Sequence, residues 1–266
     1  MYASRTFSDT DHSEMKVNDR DFVGAMGKGL AVIEAFDASS QRMTLSEVAR
    51  KTGLTRPTAR RYLLSLTRLR YAETDGKHFW LTHRVLRLGH AFLSSSPLPK
   101  SIQPVLDQLA EGTKEAASLS TMDGPEIVFL ASSVAPRMMA ATINVGLHLP
   151  AYCTASGRIL LASLSEAAIE RLLRAAVSRK FTPKTRTSRQ ELLKEIRNAR
   201  RNAYAVNDEE LEIGVRSIAV AVAVPQLQKN FAMAVSVHAG RMSVTEMVAR
   251  ILPKLQSGKR SLEQVL

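Results

Sequence analysis

The sequence has one cysteine, few aromatic residues and no long apolar run. A single thiol, Cys153, cannot form a disulfide framework or a multi-thiolate zinc site, so we expect a reducing compartment. The longest apolar candidate, residues 218–224, is far shorter than the roughly 18 residues of a membrane helix. The first 21 residues also lack the basic-then-apolar order of a signal peptide. Secreted, disulfide-rich and membrane-spanning classes are excluded, and we predict a cytoplasmic protein without a membrane partner.

The chain of 266 residues is strongly basic, with 37 Lys and Arg against 25 Asp and Glu and a pI near 10.1. Such a balance favours a polyanionic partner, either nucleic acid or an acidic membrane surface. The excess lies in two regions: residues 50–88 hold ten basic and two acidic residues, and residues 171–201 hold eleven and two. Charge alone therefore names two candidate anion-binding regions, and local pattern has to decide between them.

The first basic region has the pattern of a helix-turn-helix. A helix over residues 29–36, with Leu30, Ile33 and Phe36 on one side, precedes it. Residues 44–47 form a capping box that opens a short helix, and Gly53 supplies its left-handed end. Residues 55–57 start a second helix that runs to about residue 69 with an apolar stripe on one face and basic residues on the others. Helix, short glycine turn and basic helix together are typical of DNA-binding domains.

A β-hairpin follows the second helix directly. Asp75-Gly76 lies between the strand-like residues 71–74 and 77–81, which is a strong hairpin signal. A hairpin after a recognition helix is a wing, and Thr82 then caps a further helix. We therefore predict that residues 22–81 form a winged helix-turn-helix domain.

The second helix is predicted to enter the major groove, where its first turns meet base edges. Arg60 and Arg61 can form bidentate contacts to guanine, while Thr58 and Ser65 are adaptable donors and acceptors. Arg56, Arg68 and Lys77 are better placed for phosphates. The alternative is a solvated helix face without a partner. The complete set of predicted DNA contacts is Thr44, Arg56, Pro57, Thr58, Arg60, Arg61, Ser65, Arg68 and Lys77.

The carboxyl-terminal part has an α+β pattern. The Ser- and Pro-rich residues 94–99 mark a domain boundary, so we predict a flexible tail at 1–21, a linker helix and hinge at 82–99 and an effector domain at 100–266. Predicted helices are 101–114 (or from 104), 158–164, 166–176, 188–202 and 243–255. Predicted strands are 117–122, 127–131, 138–145, 217–224 and 231–237. The basic 188–202 helix is interpreted as a solvated amphipathic helix, with a contact to DNA or a neighbouring subunit as the alternative.

Five short strings in this order make the sequence recognisable. It resembles the IclR family of bacterial transcriptional regulators from about residue 27 onward. The strings are GLAVI at 29–33, LSEVA at 45–49 with TGL at 52–54, TARRYL at 58–63, LPAY at 149–152 with SGR at 156–158, and DEELE at 208–212 with GVRSIA at 214–219. Two of these strings, TARRYL in the predicted recognition helix and LPAY, are most similar to the subgroup that regulates aromatic-acid catabolism through the β-ketoadipate pathway.

The resemblance implies a winged helix-turn-helix that dimerises through its own domain and a GAF-like effector-binding domain joined to it by a linker helix. Family members are dimers or dimers of dimers on double-stranded operator DNA. Their effectors are typically small carboxylic acids, so we expect a carboxylate effector and a regulator of aromatic-compound catabolism.

A carboxylate needs amides, hydroxyls or a cation in a sheltered place. Thr154, Ala155 and Ser156 open a helix and offer such groups. By resemblance, the pocket also includes Asn207, Asp208, Ser217, Ser236 and His238. Arg137 and Arg158 are possible cationic partners, and Tyr152 either stacks on the ligand or simply packs. This chain has Ser217 where some relatives have Cys and His238 where they have a hydroxyl, so the identity of the effector does not transfer.

The competing hypothesis is an enzyme that converts an aromatic acid in its carboxyl-terminal domain. The sequence offers little chemistry for it: Cys153 has no histidine at a useful spacing, and a buried core thiol is the preferred interpretation. The six histidines show no metal-ligand spacing, and neither a Walker-type loop nor a dinucleotide fingerprint is present. We therefore predict no catalytic residue, no metal and no cofactor.

Overall fold

The structure is a computed structural model, and it describes residues 21–95, 98–134, 144–176, 178–224 and 229–265. The chain divides into two compact units, Met1–Ser96 and Pro97–Leu266, which are described separately. None of the described helices combines the length and apolar character of a membrane span.

The described residues of the first unit form four α-helices and a small antiparallel sheet. In chain order its elements are α1 (Gly24–Glu34), β1 (Met43–Thr44), α2 (Leu45–Thr52), α3 (Arg56–Arg68), β2 (Ala72–Thr74), β3 (His78–Leu81), a 3-10 turn (His83–Val85) and α4 (Leu86–Ser95). Strand β3 is central, between β1 and β2. The two helices and the hairpin are confirmed, whereas β1 was not predicted.

Local signals set the ends of these helices. Thr44 and Glu47 form the predicted reciprocal capping box at the start of α2, and Gly53 ends that helix at φ +71°. This left-handed conformation favours glycine because it lacks a Cβ. The core contains Val48 of α2 and Leu63 of α3. In α1, Val32 is fully buried, whereas Leu30 is 43% exposed.

The second unit is built on a six-stranded antiparallel sheet in the order β6-β5-β4-β9-β8-β7. Its strands are β4 (Ala116–Asp123), β5 (Glu126–Ser133), β6 (His148–Pro150), β7 (Ala205–Asp208), β8 (Val215–Val224) and β9 (Lys229–His238). Its helices are α5 (Leu98–Thr113), α6 (Ala155–Ala162), α7 (Glu166–Ala175), α8 (Arg189–Asn202) and α9 (Val244–Val265), with a 3-10 turn at Ala151–Cys153.

The two faces of this sheet differ in side-chain size. One face carries large residues such as Val220, Phe231 and Val235, and these share a core with helices α5 and α9. The other face carries small residues such as Ala219 and Ala234 and shares a core with α6 and α8. Small residues let α6 approach the sheet closely, and this face is the one on which the candidate effector residues converge.

Most predicted elements of the second unit are present, with four differences. Strand β6 was not predicted. Strand β7 was missed because it has four residues, two of them polar. Helix α9 continues ten residues past the predicted end, through Pro253, because Leu255 and Leu262 are buried. Helix α6 begins at Ala155 rather than at 158. The strand predicted at 138–145 falls mostly outside the described residues.

Candidate DNA-binding surface and effector site

Helix α3 places its basic residues on the side opposite the core. Thr55 caps its first turn by accepting a hydrogen bond from the Thr58 amide, and Pro57 lies in that turn. Ala59 and Leu63 are buried, whereas Arg60 and Arg61 are exposed. This is the geometry that a recognition helix requires, because its outward side chains have to reach the groove.

The remaining predicted DNA residues fall into two groups. Arg56, Pro57, Ser65 and Arg68 are exposed on α3, and Lys77 is exposed at the tip of the wing. Three hydroxyls are already engaged, and that of Thr58 lies 2.8 Å from the Thr55 hydroxyl. The Ser65 hydroxyl donates to the Arg61 carbonyl at 2.8 Å, and the Thr44 hydroxyl donates to Glu47 at 2.8 Å. Thr44 thus has a structural role at the cap of α2.

The tip of the wing is ordered by Asp75. Its carboxylate accepts hydrogen bonds from the amides of His78 at 2.7 Å and Lys77 at 2.9 Å. These bonds to the charged form lower the pKa of Asp75 to about 2. At the base of the wing the Arg42 guanidinium lies 4.2 Å from the centre of the Trp80 ring. Arg42 was not among the predicted DNA residues, because its position beside the wing depends on the pairing of β1 with β3.

The two basic regions differ in how far they are neutralised. In the second region Arg189 pairs with Glu170, and Arg197 and Arg200 pair with Glu166. In contrast, the structure records no ion pair between Arg60 or Arg61 and any described residue. The charge of α3 is therefore available to an external anion, while α8 is a surface helix with internal ion pairs.

The candidate effector site centres on the start of α6. Thr154 caps this helix, and its hydroxyl accepts from the Gly157 amide at 3.0 Å. Ala155 and Ser156 follow and are buried. A side chain at Gly157 would place its Cβ 2.2 Å from the Ala151 carbonyl oxygen, so only glycine permits this close packing of α6 on the preceding turn.

Strand pairing brings three further candidates to this helix start. Asn207 is buried, donates to the carbonyl of Cys153 and accepts from the Glu210 amide at 3.1 Å. It lies opposite Ser217 in β8, and Ser217 lies opposite Ser236 in β9. The hydroxyls of Ser217 and Ser236 are thus in register on the sheet face that α6 covers.

Arg158 is not free to bind a ligand, contrary to the expectation that it could pair with a carboxylate. It is 1% exposed, and its guanidinium forms two hydrogen bonds to Glu210, at 2.6 and 2.5 Å. It also donates to the carbonyls of Tyr152 and Val206. Glu210 pairs in addition with Arg186. This buried network fixes α6 to the segment after β7.

The other predicted effector residues lie elsewhere or have other partners. The Tyr152 hydroxyl both donates to and accepts from the backbone of Arg179 at 2.7 Å, which favours the packing interpretation. Asp208 pairs with Lys184 at 3.2 Å and with Arg216. His238 is exposed, and its Nδ1 accepts from the Gly240 amide. Arg137 lies outside the described residues.

Two regions of the sequence match two descriptions of one family. The "IclR helix-turn-helix domain" matches residues 25–76, and "Bacterial transcriptional regulator IclR C-terminal" matches residues 90–263. The chain belongs to the IclR family. The fold class predicted from the sequence is confirmed, with an amino-terminal helix-turn-helix domain and a carboxyl-terminal sheet domain.

IclR-family relatives cover nearly the full chain. The "Pca regulon regulatory protein" of Pseudomonas putida is 38% identical over 245 residues, which are 92% of this chain and 84% of that protein. The "p-hydroxybenzoate hydroxylase transcriptional activator" of Acinetobacter baylyi is 34% identical over 261 residues, 96% of each chain.

Solved IclR structures have the same fold. An IclR family regulator from Brucella abortus has a TM-score of 0.83 at 25% identity, covering 96% of this chain and 97% of that chain. A double mutant of the inducer-binding domain of the PobR transcription factor from Acinetobacter, in complex with 3-hydroxybenzoic acid, has a TM-score of 0.60 at 27% identity. It covers 64% of this chain and 100% of that chain.

Membership in the IclR family decides between the two functional hypotheses. The chain is a DNA-binding transcriptional regulator, and the enzyme hypothesis is rejected, because the matches extend over both units and the relatives are regulators. Within the described part of the chain, no three His, Cys, Asp or Glu side chains are grouped as a metal site would require.

Proposed function

We propose that this IclR-family regulator controls genes of aromatic-acid catabolism and responds to a small aromatic carboxylate. The observation that carries the proposal is the convergence of the α6 amino terminus with Ser217 and Ser236. A helix start offers free amides to an anion, and the two serines add hydroxyl donors. The names of the relatives from Pseudomonas and Acinetobacter support the aromatic class.

On the DNA side, we propose that Arg60 and Arg61 read base edges from α3. Arg56, Arg68 and Lys77 then contact phosphates and set the position of the domain on the duplex. Arg42 is a further residue proposed to contact phosphates, since its guanidinium lies beside the wing. Because the target is chromosomal DNA, the protein acts in the cytoplasm.

We further propose that the functional unit is a homodimer or a dimer of dimers. Helix α4 carries Leu86, Leu88 and Phe92, which are 74%, 47% and 46% exposed, and none of its residues is buried. Phe22, just before α1, and Met26, within α1, are also exposed. Apolar surface of this extent in a monomer marks an interaction site.

The effector proposal is tested by calorimetric titration of the full chain with benzoate, 4-hydroxybenzoate and an aliphatic acid such as succinate. We expect an aromatic acid to bind and to be recovered unchanged. Ser236→Val should lower its affinity at least about tenfold, since a hydrogen bond to a charged group contributes about 1.5–3 kcal/mol. The control Ser133→Ala removes a hydroxyl that donates to Asp107 on the opposite sheet face. Binding of only the aliphatic acid would contradict the aromatic class.

A further inference from the structure

Three arginines line a cavity in the first unit. The cavity measures about 550 Å³ and lies between the end of α3, strand β2 and the start of α4. Its cations are Arg70, Arg84 and Arg87, and none of them forms an ion pair with another described residue of the chain. Like charges gathered around one cavity repel each other, so such a group favours an anion that neutralises it.

Arg84 is the most sheltered of the three cations. Its Nε is buried and has no hydrogen-bond partner among the described residues. Its guanidinium carbon lies 5.7 Å from the centre of the Tyr71 ring, a contact that orients the side chain. Folded proteins rarely leave a buried donor without an acceptor, because burial removes its bonds to water. A charged donor in this state indicates an oxyanion as its partner.

The backbone at Arg70 adds a second observation. Arg70 follows α3 at φ +64°, in the left-handed region that favours glycine. Glycine would end the helix with less strain, so the arginine side chain has a role beyond ending α3. The Thr82 hydroxyl donates to the Arg70 carbonyl at 2.6 Å and accepts from the Arg84 amide at 3.2 Å. One threonine thus links the backbones of both arginines at the edge of the cavity.

The lining residues carry more positive than negative charge. Glu73 is the one carboxylate among them, against three guanidiniums. Its Oε2 already accepts a hydrogen bond from the Trp80 indole Nε1 at 3.1 Å. A phosphate group carries roughly one to two negative charges and takes the paired N–H donors of arginine well. The charge excess and the donor type therefore match a phosphate.

The cavity does not overlap the base-reading turns of α3. None of residues 56–61 lines it, and Thr67, which does, is about 10 Å along the helix from Arg60 at 1.5 Å per residue. The cavity runs along the outer edge of β2, a strand that pairs with β3 alone within the described sheet. An anion bound here leaves the first turns of α3 free to meet base edges.

We infer that Arg70, Arg84 and Arg87 form a binding site for a phosphate group, separate from the base-reading face of α3. The phosphate comes either from the backbone of DNA or from a free phosphorylated anion, and both sources present the same oxygens to the guanidiniums. The inference goes beyond the proposed function, since it depends neither on the effector nor on the residues proposed to contact DNA.

Two measurements on the full chain distinguish the sources. The first compares the melting temperature in sodium pyrophosphate and in sodium chloride at equal ionic strength. If the anion is free, pyrophosphate should raise it by at least about 2 °C. Arg84→Met should abolish that rise and bind a duplex of random sequence like the wild type. The second measures the affinity for that duplex over a range of salt concentrations. If the phosphate belongs to DNA, Arg84→Met should weaken binding about three- to tenfold, as for one partly exposed charged contact.

Two further variants make the test decisive. Arg87→Met removes an exposed cation of the same site and should act in the same direction, even if Arg84→Met disturbs folding. The control Arg201→Met removes an equal charge from the exposed side of α8 and should change neither readout. Wild-type behaviour of both site variants in both measurements would overturn the inference, as would an equal effect of Arg201→Met. A lower sedimentation mass for Arg84→Met would assign the arginines to an acidic surface of a second copy and also overturn it.

Discussion

At the scale of single residues, the buried Arg158–Glu210 pair is a main polar contribution to the stability of the second unit. Both side chains are 1% exposed, and the pair joins α6 to a segment 52 residues later in the chain. Removing one partner of a buried pair leaves an uncompensated charge, which typically costs about 3–5 kcal/mol.

Arg158→Met should therefore lower the free energy of unfolding of the full chain by about 3–5 kcal/mol in urea titrations followed by circular dichroism. Arg174→Met is the matched control. It removes an exposed pair with Glu170 at 3.4 Å and should cost about 1 kcal/mol or less. Equal losses for the two variants would mean that the buried network contributes no more than a surface pair.

Gly157 permits the close approach of α6 to the preceding turn. In Gly157→Ala the new Cβ would overlap the backbone of Ala151, so we expect the melting temperature to fall and effector binding to be lost. The control is Gly112→Ala in α5, where a new Cβ would have no neighbouring atom within 4 Å. This variant should have an equal or higher melting temperature. A Gly157→Ala variant that melts and binds like the wild type would show that the turn can move away.

Cys153 provides a pH-dependent test of burial. Desolvation raises the pKa of this thiol to about 12. The folded chain thus holds the proton more tightly than the unfolded chain, whose thiol ionises near pH 8.5, so stability falls as the pH rises above that value. At pH 8 the native thiol should react with a disulfide reagent far more slowly than the denatured one. Rapid stoichiometric labelling of the native protein would contradict this burial.

At the scale of secondary-structure elements, α4 is an amphipathic helix of which no residue is buried within the described part of its unit. Phe92→Glu should shift the protein from dimer towards monomer in sedimentation measurements, because it places a charge in the proposed apolar interface. The control Ile213→Glu changes an apolar residue that is 70% exposed in the other unit and should leave the mass unchanged. A Phe92→Glu variant that stays dimeric would place the interface elsewhere.

The elements differ in how far the sequence could predict them. Helices α2 and α3 and the wing depend on local signals, namely a capping box, a left-handed glycine and an Asp-Gly turn, and all were predicted. In α1 the apolar residues do not identify the buried position, because they lie on more than one side of the helix and only packing selects Val32. Strand β7 and the extension of α9 have no strong local signal, and burial against the sheet determines them.

The candidate sites follow the same division. The exposed arginines of α3 were predictable, because the apolar stripe of the helix identifies its opposite face. The partner of Arg158 was not, since Glu210 is distant in sequence.

At the scale of the whole molecule, the proposed function gives each of the two units its own ligand, and a regulator must couple the two binding events. Effector binding can change DNA affinity only through different affinities for two conformations, and the coupling is reciprocal. DNA should therefore change the affinity for the effector by the same factor by which the effector changes the affinity for DNA. Calorimetric titration of 4-hydroxybenzoate into free and DNA-bound protein measures this factor directly.

The central claim is that the exposed face of α3 reads DNA sequence. The most direct measurement is fluorescence anisotropy with a duplex selected from random sequences and with an unselected duplex, over a range of salt concentrations. Arg61→Ala should reduce the binding free energy for the selected duplex by about 1–3 kcal/mol, because it removes a base contact. The loss for the unselected duplex should be smaller. Lys77→Ala should weaken binding to both duplexes alike and reduce the slope of log K against log salt concentration by about 1. The control Arg174→Ala in α7 should change neither the affinities nor this slope. Equal losses on both duplexes for Arg61→Ala would contradict base reading by this helix.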